Sequence, residues 1–282
     1  MSRFIWITLS LCICAAGALW GYIIFVSAPH GTELFFLPVG QGDAQLVRVG
    51  GINVLIDGGP NRGILSSLDT ILGARGHIDI VFVSHGQTDH IQGLFDVVSS
   101  RPVGVLLYQG ATTPLLEQLF VRAREYSVPV VQIKTGSTLL YKDALFEVLS
   151  FEPSIHKFDS SGINDDSLVL KFTTPGGCAL FTADIGSDAE RQLSSYYKNK
   201  LDCDVLKVAH HGSKTSSLPE FLRAVSPALS VIEVGKNSYG HPTPEVLTRL
   251  AGVGSRILRT DQDGIVRVLL QPDKLIISSL KM

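Results

Sequence analysis

The sequence carries little net charge, few cysteines and no internal repeat strong enough to define repeated units. Its formal net charge is −2, so no overall basic footprint marks a nucleic-acid-binding domain, and residues 198–267 hold only a small surplus of ten Lys and Arg over seven Asp and Glu. Four cysteines in 282 residues are too few for a disulfide framework. Since 45% of the residues are hydrophobic, the chain is able to bury one sizeable core. The composition therefore predicts a globular domain whose function depends on particular residues.

The N-terminus holds an uncharged apolar run of 23 residues, Phe4 to Val26, preceded by Arg3. Such a run is long enough to cross a hydrocarbon core of roughly 30 Å. A cleavable signal peptide is the alternative, since small residues occur at 16–18, but its apolar core is normally only ~7–15 residues long. We predict a transmembrane anchor at 1–28 and a domain at 29–282. Arg3 keeps the N-terminus cytoplasmic, which predicts a single-pass membrane protein with an extracytoplasmic domain.

Two cysteines fall in the anchor, and Cys178 and Cys203 fall in apolar, strand-like segments of the domain. Buried free thiols are the favoured prediction for this pair. A bridge between them stays open outside the cytoplasm, where disulfides persist.

The most informative stretch is a predicted strand, Ile78 to Val83, followed by the polar loop 84–90 and an amphipathic segment. The loop carries His85, Asp89 and His90. Asp89 alone is also a normal helix N-cap. Together, imidazole nitrogens and a carboxylate at the end of a strand are typical of a site for Zn²⁺, Mn²⁺ or Fe²⁺.

Other predicted strands end in the same way. The metal-competent side chains at strand ends are Asp57, His85, Asp89, His90, Asp184, His210, His211 and His241. An aspartate beside glycine, such as Asp43 or Asp57, is also a common turn residue. Helices and strands alternate after an initial hairpin, which predicts an α/β fold with mixed sheets. We therefore expect a two-metal site along one edge of two sheets.

These residues resemble the metallo-β-lactamase superfamily and, more narrowly, the hydrolase domain of ComEC-type DNA-uptake (competence) proteins. The matching stretches are VGQGDA (39–44), LIDGG (55–59), SHGQTDHIQG (84–93), NDDSLVL (164–170), FTADI (181–185), DVLKVAHHGSKTSS (204–217), NSYGHP (237–242) and RTDQDG (259–264). The resemblance implies an αββα sandwich of two mixed β-sheets that binds two divalent ions, Zn²⁺ or Mn²⁺.

The resemblance also implies roles for the individual residues. His85 would bind the first metal, Asp89, His90 and His241 the second, and Asp184 both. Asp57 and Asp43 would support these ligands from behind. His210 and His211 would lie over the site, one of them close to a metal and the other placed for proton transfer, while Lys207 and Ser213 would hold a phosphate oxygen.

Two positions depart from the superfamily pattern. Gln87 stands where the family has His or Asp, and Asn164 stands where the wider superfamily has His. A neutral amide is a poor metal ligand, so we expect a weak first metal site and a better-built second one.

The resemblance predicts a metal-dependent phosphodiesterase or nuclease acting on DNA outside the membrane. A separate channel protein would then work beside it, because the multi-span channel of ComEC-type proteins has no counterpart here; a stand-alone hydrolase is the alternative. Gln87 motivates a second hypothesis, a degenerate non-catalytic module that binds a polymer or a partner. Hydrolysis of a small ester or lactam is a third.

Overall fold

The computed structural model describes residues 31–150, Asn164 and residues 166–281, together with Ile13, Gly17 and Trp20. The rest of the predicted anchor at 1–28 lies outside the described residues. Among the residues that are described, no helix has both the length and the apolar character needed to cross a membrane. All elements given below belong to the compact unit that begins at Thr32.

The first sheet of the described chain has eight strands in the order β15-β14-β1-β2-β3-β4-β5-β6. They are β1 (Thr32–Phe36), β2 (Gln45–Val49), β3 (Ile52–Ile56), β4 (Ile78–Val83), β5 (Val103–Gln109), β6 (Val130–Ile133), β14 (Ile265–Gln271) and β15 (Lys274–Leu280). Pairing is antiparallel from β15 to β3 and parallel from β3 to β6.

The second sheet has seven strands among the described residues, in the order β13-β12-β11-β10-β9-β8-β7. They are β7 (Thr138–Tyr141), β8 (Ala144–Val148), β9 (Leu170–Thr174), β10 (Gly177–Phe181), β11 (Val205–Lys207), β12 (Leu229–Ile232) and β13 (Arg256–Arg259). Strands β10 to β13 run parallel, and β7 to β10 pair antiparallel.

Helices cover the outer face of each sheet. They are α1 (Ile64–Leu72), α2 (Thr88–Ser100), α3 (Pro114–Glu125), α4 (Ser187–Tyr197), α5 (Pro219–Val225), α6 (Pro244–Gly252) and the short α7 (Thr260–Asp263), with 3₁₀ turns at Lys198–Leu201 and Ala209–Gly212. One apolar core lies between the two sheets, a second between the first sheet and α1–α3, and a third between the second sheet and α4–α6. The predicted αββα sandwich of mixed sheets is therefore confirmed.

The prediction of free thiols at Cys178 and Cys203 is wrong. The parallel register pairs Ala179 of β10 with Val205 of β11, which brings Cys178, the residue before Ala179 in β10, close to Cys203, two residues before β11. The two cysteines lie 5.2 Å apart at Cα, within the range that a bridge needs, and form a disulfide.

The sheet topology gathers the polar strand ends at one edge. Strands β3 and β4 are parallel neighbours in the first sheet, and β10, β11 and β12 are parallel neighbours in the second. Parallel strands present their carboxyl ends at the same edge, where ligands bind in α/β folds. The loops that follow these strands contain the predicted site residues.

Candidate metal centre

Four side chains from three separate loops converge at this edge: Asp89, His90, Asp184 and His211. One ligand atom from each lies within 4.8 Å of the others. Asp89 and His90 come from the first turn of α2, Asp184 from the loop after β10, and His211 from the 3₁₀ turn after β11. The structure thus brings together predicted residues that are more than a hundred positions apart in sequence.

Several buried atoms at this edge lack hydrogen-bond partners within the described part of the chain. They include His85 Nε2, His90 Nε2, Asp184 Oδ1, His211 Nε2, His241 Nδ1 and both carboxylate oxygens of Asp43. A buried polar atom without a partner is costly, so a group of imidazole and carboxylate atoms of this kind fits a bound cation. Nitrogen and carboxylate donors of this kind suit Zn²⁺, Mn²⁺ or Fe²⁺.

The spacing of these atoms supports the same conclusion. His211 Nε2 lies 3.5 Å from both Asp89 Oδ2 and Asp184 Oδ2, and His90 Nε2 lies 3.4 Å from Asp184 Oδ1. Two ligands of a tetrahedral ion, each bound at about 2.0–2.1 Å, are separated by about 3.3 Å. The four residues therefore fit a divalent metal ion.

Both histidines of the cluster are oriented through their other ring nitrogen. His90 Nδ1 lies 2.8 Å from Asp57 Oδ2, and His211 Nδ1 lies 2.8 Å from the backbone oxygen of Glu233. Asp57 also accepts a hydrogen bond from the Ser84 amide at 2.8 Å, which ties it to the motif loop. Partners of this kind fix the tautomer and direct Nε2 at the metal position. Asp57 thus contacts the ring of His90 on the side away from Nε2, and its role in supporting a metal ligand stays a prediction.

Asp43 and Lys207 form an ion pair below the cluster, with both side chains fully buried. The Lys207 ammonium also donates to the Ala183 backbone oxygen at 2.8 Å and lies 3.7 Å from Asp184 Oδ1. Asp43 Oδ1 lies 3.3 Å from His211 Nδ1. The expectation that Lys207 holds a phosphate oxygen is wrong, because its ammonium is occupied inside the protein.

Ser213 is also buried, and its hydroxyl lies 3.0 Å from Thr215 Oγ1. Its predicted contact with a phosphate oxygen stays a prediction.

The charges of the site set the protonation of its rings. Burial and the neighbouring His90 lower the pKa of His85 to about 3, so this ring is neutral with a free lone pair. Burial opposes charge on His211, but Asp184 and Asp43 raise its pKa to about 10. Burial likewise opposes charge on Asp184, yet His211, His90 and Lys207 hold its pKa well below the usual range. The negative carboxylates that stabilise a proton on these imidazoles would also stabilise a metal cation bound in place of that proton.

His85 and His241 border the four-residue group. The ring of His85 lies 4.1 Å from that of His90, and Ser84 Oγ is 3.0 Å from its Nδ1. The ring of His241 lies 5.7 Å from that of His210. His211, rather than His241, completes the group of four, although both rings present an unpartnered nitrogen.

The two departures from the superfamily pattern contact each other. The Gln87 amide donates a hydrogen bond to Asn164 Oδ1, so the Asn164 oxygen is engaged by protein. Gln87 and Asn164 stand where the superfamily has metal ligands, and their side-chain amides contact each other. That the first metal site is weaker than the second stays a prediction.

Four residues of the site loops have a left-handed backbone conformation. Asp57, Ala183, His210 and His211 have left-handed φ angles of 58°, 43°, 50° and 52°. Such a conformation costs on the order of 1–3 kcal/mol for a residue with a side chain and is found mainly at functional sites. At His210 and His211 this conformation projects consecutive imidazoles from one turn.

Two buried carboxylates that hold the site loops were not among the site residues predicted from the sequence. Glu233 accepts hydrogen bonds from the amides of Leu37 and Ala44 at 3.3 and 3.2 Å, which joins the β1–β2 loop to the end of β12. Glu190 accepts from the amides of Ser217 and Leu218 at 2.6 and 2.7 Å and so holds the loop after His211. Glu233 follows an apolar strand in the segment LSVIEV, and this pattern could have predicted it as a site residue.

A four-layer sandwich with an imidazole and carboxylate site at the edge of its sheets defines the class of metallo-β-lactamase-fold proteins. The sequence profile of that superfamily matches residues 37–233, and the chain belongs to the metallo-β-lactamase superfamily, a superfamily of metal-dependent hydrolases.

Its relatives include competence proteins. The chain is 32% identical over 257 residues to ComE operon protein 3 of Bacillus subtilis (strain 168), covering 83% of this chain and 32% of the relative. It is 34% identical over 234 residues to Competence protein ComA of Neisseria gonorrhoeae, covering 81% and 31%. The chain thus spans about a third of the length of these relatives.

Solved structures agree on the fold. The crystal structure of the metallo-β-lactamase fold protein YhfI from Bacillus subtilis matches with a TM-score of 0.60 at 12% identity, covering 84% of this chain and 99% of that one.

Proposed function

We propose that the protein is a metal-dependent phosphodiesterase that cleaves DNA outside the cytoplasm. The observation that carries this proposal is the convergence of unpartnered imidazole and carboxylate atoms on one point, in a chain similar to two competence proteins. The disulfide between Cys178 and Cys203 supports the extracytoplasmic location, because disulfides persist in oxidising compartments. The predicted N-terminal anchor and a separate channel protein as partner remain part of this proposal.

Asp89, His90, Asp184 and His211 would hold the better metal, and His85 with Asp184 would provide the weaker position. A bound divalent ion lowers the pKa of its water and stabilises the charge that develops on phosphoryl oxygens. Asp57, Asp43 and the Glu233 backbone oxygen keep the ligand rings in place. His210 is 29% exposed, and its Nε2 lies 4.0 Å from Asp184 Oδ2. Burial lowers the pKa of the His210 imidazole, so the neutral ring would accept a proton from the attacking water.

The purified protein should hydrolyse bis-(p-nitrophenyl) phosphate and cleave DNA when Mn²⁺ or Zn²⁺ is supplied. Chelation should abolish both activities, because the bound ion would lower the pKa of its water and stabilise the charge on the phosphoryl oxygens. Added metal should restore both activities. Intact substrates with either metal would contradict the proposal. Hydrolysis of nitrocefin or a lactone panel instead would favour the small ester or lactam hypothesis.

The Gln87–Asn164 pair supports one alternative, a non-catalytic binding module with poor metal retention. Metal content separates the two hypotheses, since less than about one equivalent per chain after dialysis favours the binding module.

Replacing Gln87 by histidine should raise the bound metal from about one to about two equivalents per chain, because an imidazole adds a ligand beside His85. Mass spectrometry of metal content on dialysed protein measures this. The matched control is Gln132→His, which places the same substitution at an exposed position in β6. Equal metal content in the Gln87→His variant and the wild type would show that this position does not limit the first site.

A further inference from the structure

An exposed aromatic side chain stands beside the metal centre on the loop after β12. Tyr239 is 72% exposed, although a tyrosine ring normally buries most of its apolar surface. Its ring centroid lies 5.7 Å from that of His241, with 31° between the planes. The ring of His241 lies 5.7 Å from that of His210, which faces Asp184. A row of three rings therefore leads from the surface to the proposed catalytic edge.

The backbone that carries Tyr239 is held in place. The side-chain oxygen of Asn237 accepts hydrogen bonds from the amides of Tyr239 and His241, both at 3.1 Å. The Asn237 amide group donates to the backbone oxygens of Gly235 and His241, both at 2.9 Å. One side chain thus fixes the whole loop, and an exposed ring on a fixed loop loses little conformational entropy when a ligand stacks on it.

The loop also packs against the turn that carries the histidines. The Thr243 amide donates to the Gly212 backbone oxygen at 2.9 Å, and a Cβ at Gly212 would lie 2.6 Å from Pro242 Cβ. Each of the two loops carries one exposed lysine, Lys214 and Lys236, and neither has an acidic partner within 4.0 Å in the described part of the chain. Exposed lysines without acidic partners, on the same loops as an exposed aromatic ring, suit nucleic acid, whose phosphates are negative and whose bases stack on aromatic rings.

We infer that Tyr239 is a stacking platform for an unpaired base of the substrate strand, one or a few nucleotides from the phosphodiester at the metal centre. The inference rests on the proposed function and narrows it to single-stranded nucleic acid, because bases in a duplex are already stacked on each other. Lys214 and Lys236 would contact phosphates on either side. Tyr239 would therefore determine which substrate binds, and the phosphodiester bond would be cleaved at the metal centre.

The test uses the full-length protein and a fluorescent single strand of about 15 nucleotides. A second set of substrates consists of the same strand with one abasic site, placed at each position in turn. Tyr239→Ala should lower kcat/KM on the intact strand by about tenfold, within the range that one base–aromatic stack supplies, and Tyr239→Phe should keep it. In the wild type, one abasic position should reproduce the tenfold loss. At that position Tyr239→Ala should cause no further loss, since the ring and the base act as one pair.

Tyr196→Ala is the matched control, because Tyr196 is 71% exposed and lies on α4. Metal content should be the same in all variants. An unchanged kcat/KM in Tyr239→Ala, or equal abasic profiles in both proteins, would overturn the inference. If the wild type hydrolyses bis-(p-nitrophenyl) phosphate but no DNA strand, the nucleic-acid substrate is wrong and the hydrolase stands; if it hydrolyses neither, the proposed function itself fails.

Discussion

Replacing Asp184 by asparagine should lower the phosphodiesterase activity by roughly a thousandfold and reduce bound metal at the same time. The Asp184 carboxylate lies within 3.5 Å of both His90 Nε2 and His211 Nε2, so both imidazoles of the cluster face it. An amide keeps the shape but loses the negative charge that attracts the cation. Hydrolysis of bis-(p-nitrophenyl) phosphate and mass spectrometry of bound metal measure the two effects on one preparation.

The control for this variant is Asp188→Asn, four residues further along the chain. Its side chain is 75% exposed and contacts only Arg191 among the ion pairs of the described chain. This variant should keep full activity and metal content. An active Asp184→Asn enzyme with unchanged metal would show that hydrolysis occurs without the proposed centre.

Replacing Lys207 by methionine should lower the free energy of unfolding by about 3–5 kcal/mol, the usual effect of removing one partner from a buried ion pair. The Asp43 carboxylate is fully buried and would lose its contact with the ammonium. The backbone oxygen of Ala183 would also lose its donor. Urea unfolding followed by circular dichroism measures the loss.

Lys214→Met is the matched control, because Lys214 is exposed on the loop after His211 and should tolerate methionine with little change in stability. Adding Asp43→Asn to Lys207→Met should recover part of the lost stability, since the uncompensated charge is then removed. A loss below about 1 kcal/mol in Lys207→Met would contradict a buried pair of this kind.

The sequence was sufficient for the layers of the fold and for most of the side chains that converge at the sheet edge. An apolar run that stops at an acid or imidazole is a local pattern. Parallel pairing of β3 with β4 then brings Asp57 and His85 to one edge, and the packing of the second sheet on the first brings Asp184 beside them. The pattern is weaker in β7 and β15, which are half exposed and lack the apolar runs of the central strands. In α6 only Val246 and Leu250 are buried, so the apolar face of this helix is short.

The details that sequence could not supply depend on loop conformation and register. The left-handed turn at His210 and His211 determines which imidazole enters the cluster, and no residue type in HHGS specifies that turn. The burial of Lys207 depends on Asp43, which lies more than 160 residues earlier. The disulfide depends on the pairing of β10 with β11, which fixes the distance between Cys178 and Cys203.

Strand β1 is bordered on one side by β2, its neighbour along the chain, and on the other by β14, with Thr32 opposite Leu270. During synthesis on the ribosome, β1 therefore lacks one of its two neighbours until β14, more than 220 residues later in the chain, has emerged. Contacts so distant in sequence slow folding. A nascent chain stalled before Ile265 would expose the unpaired edge of β1.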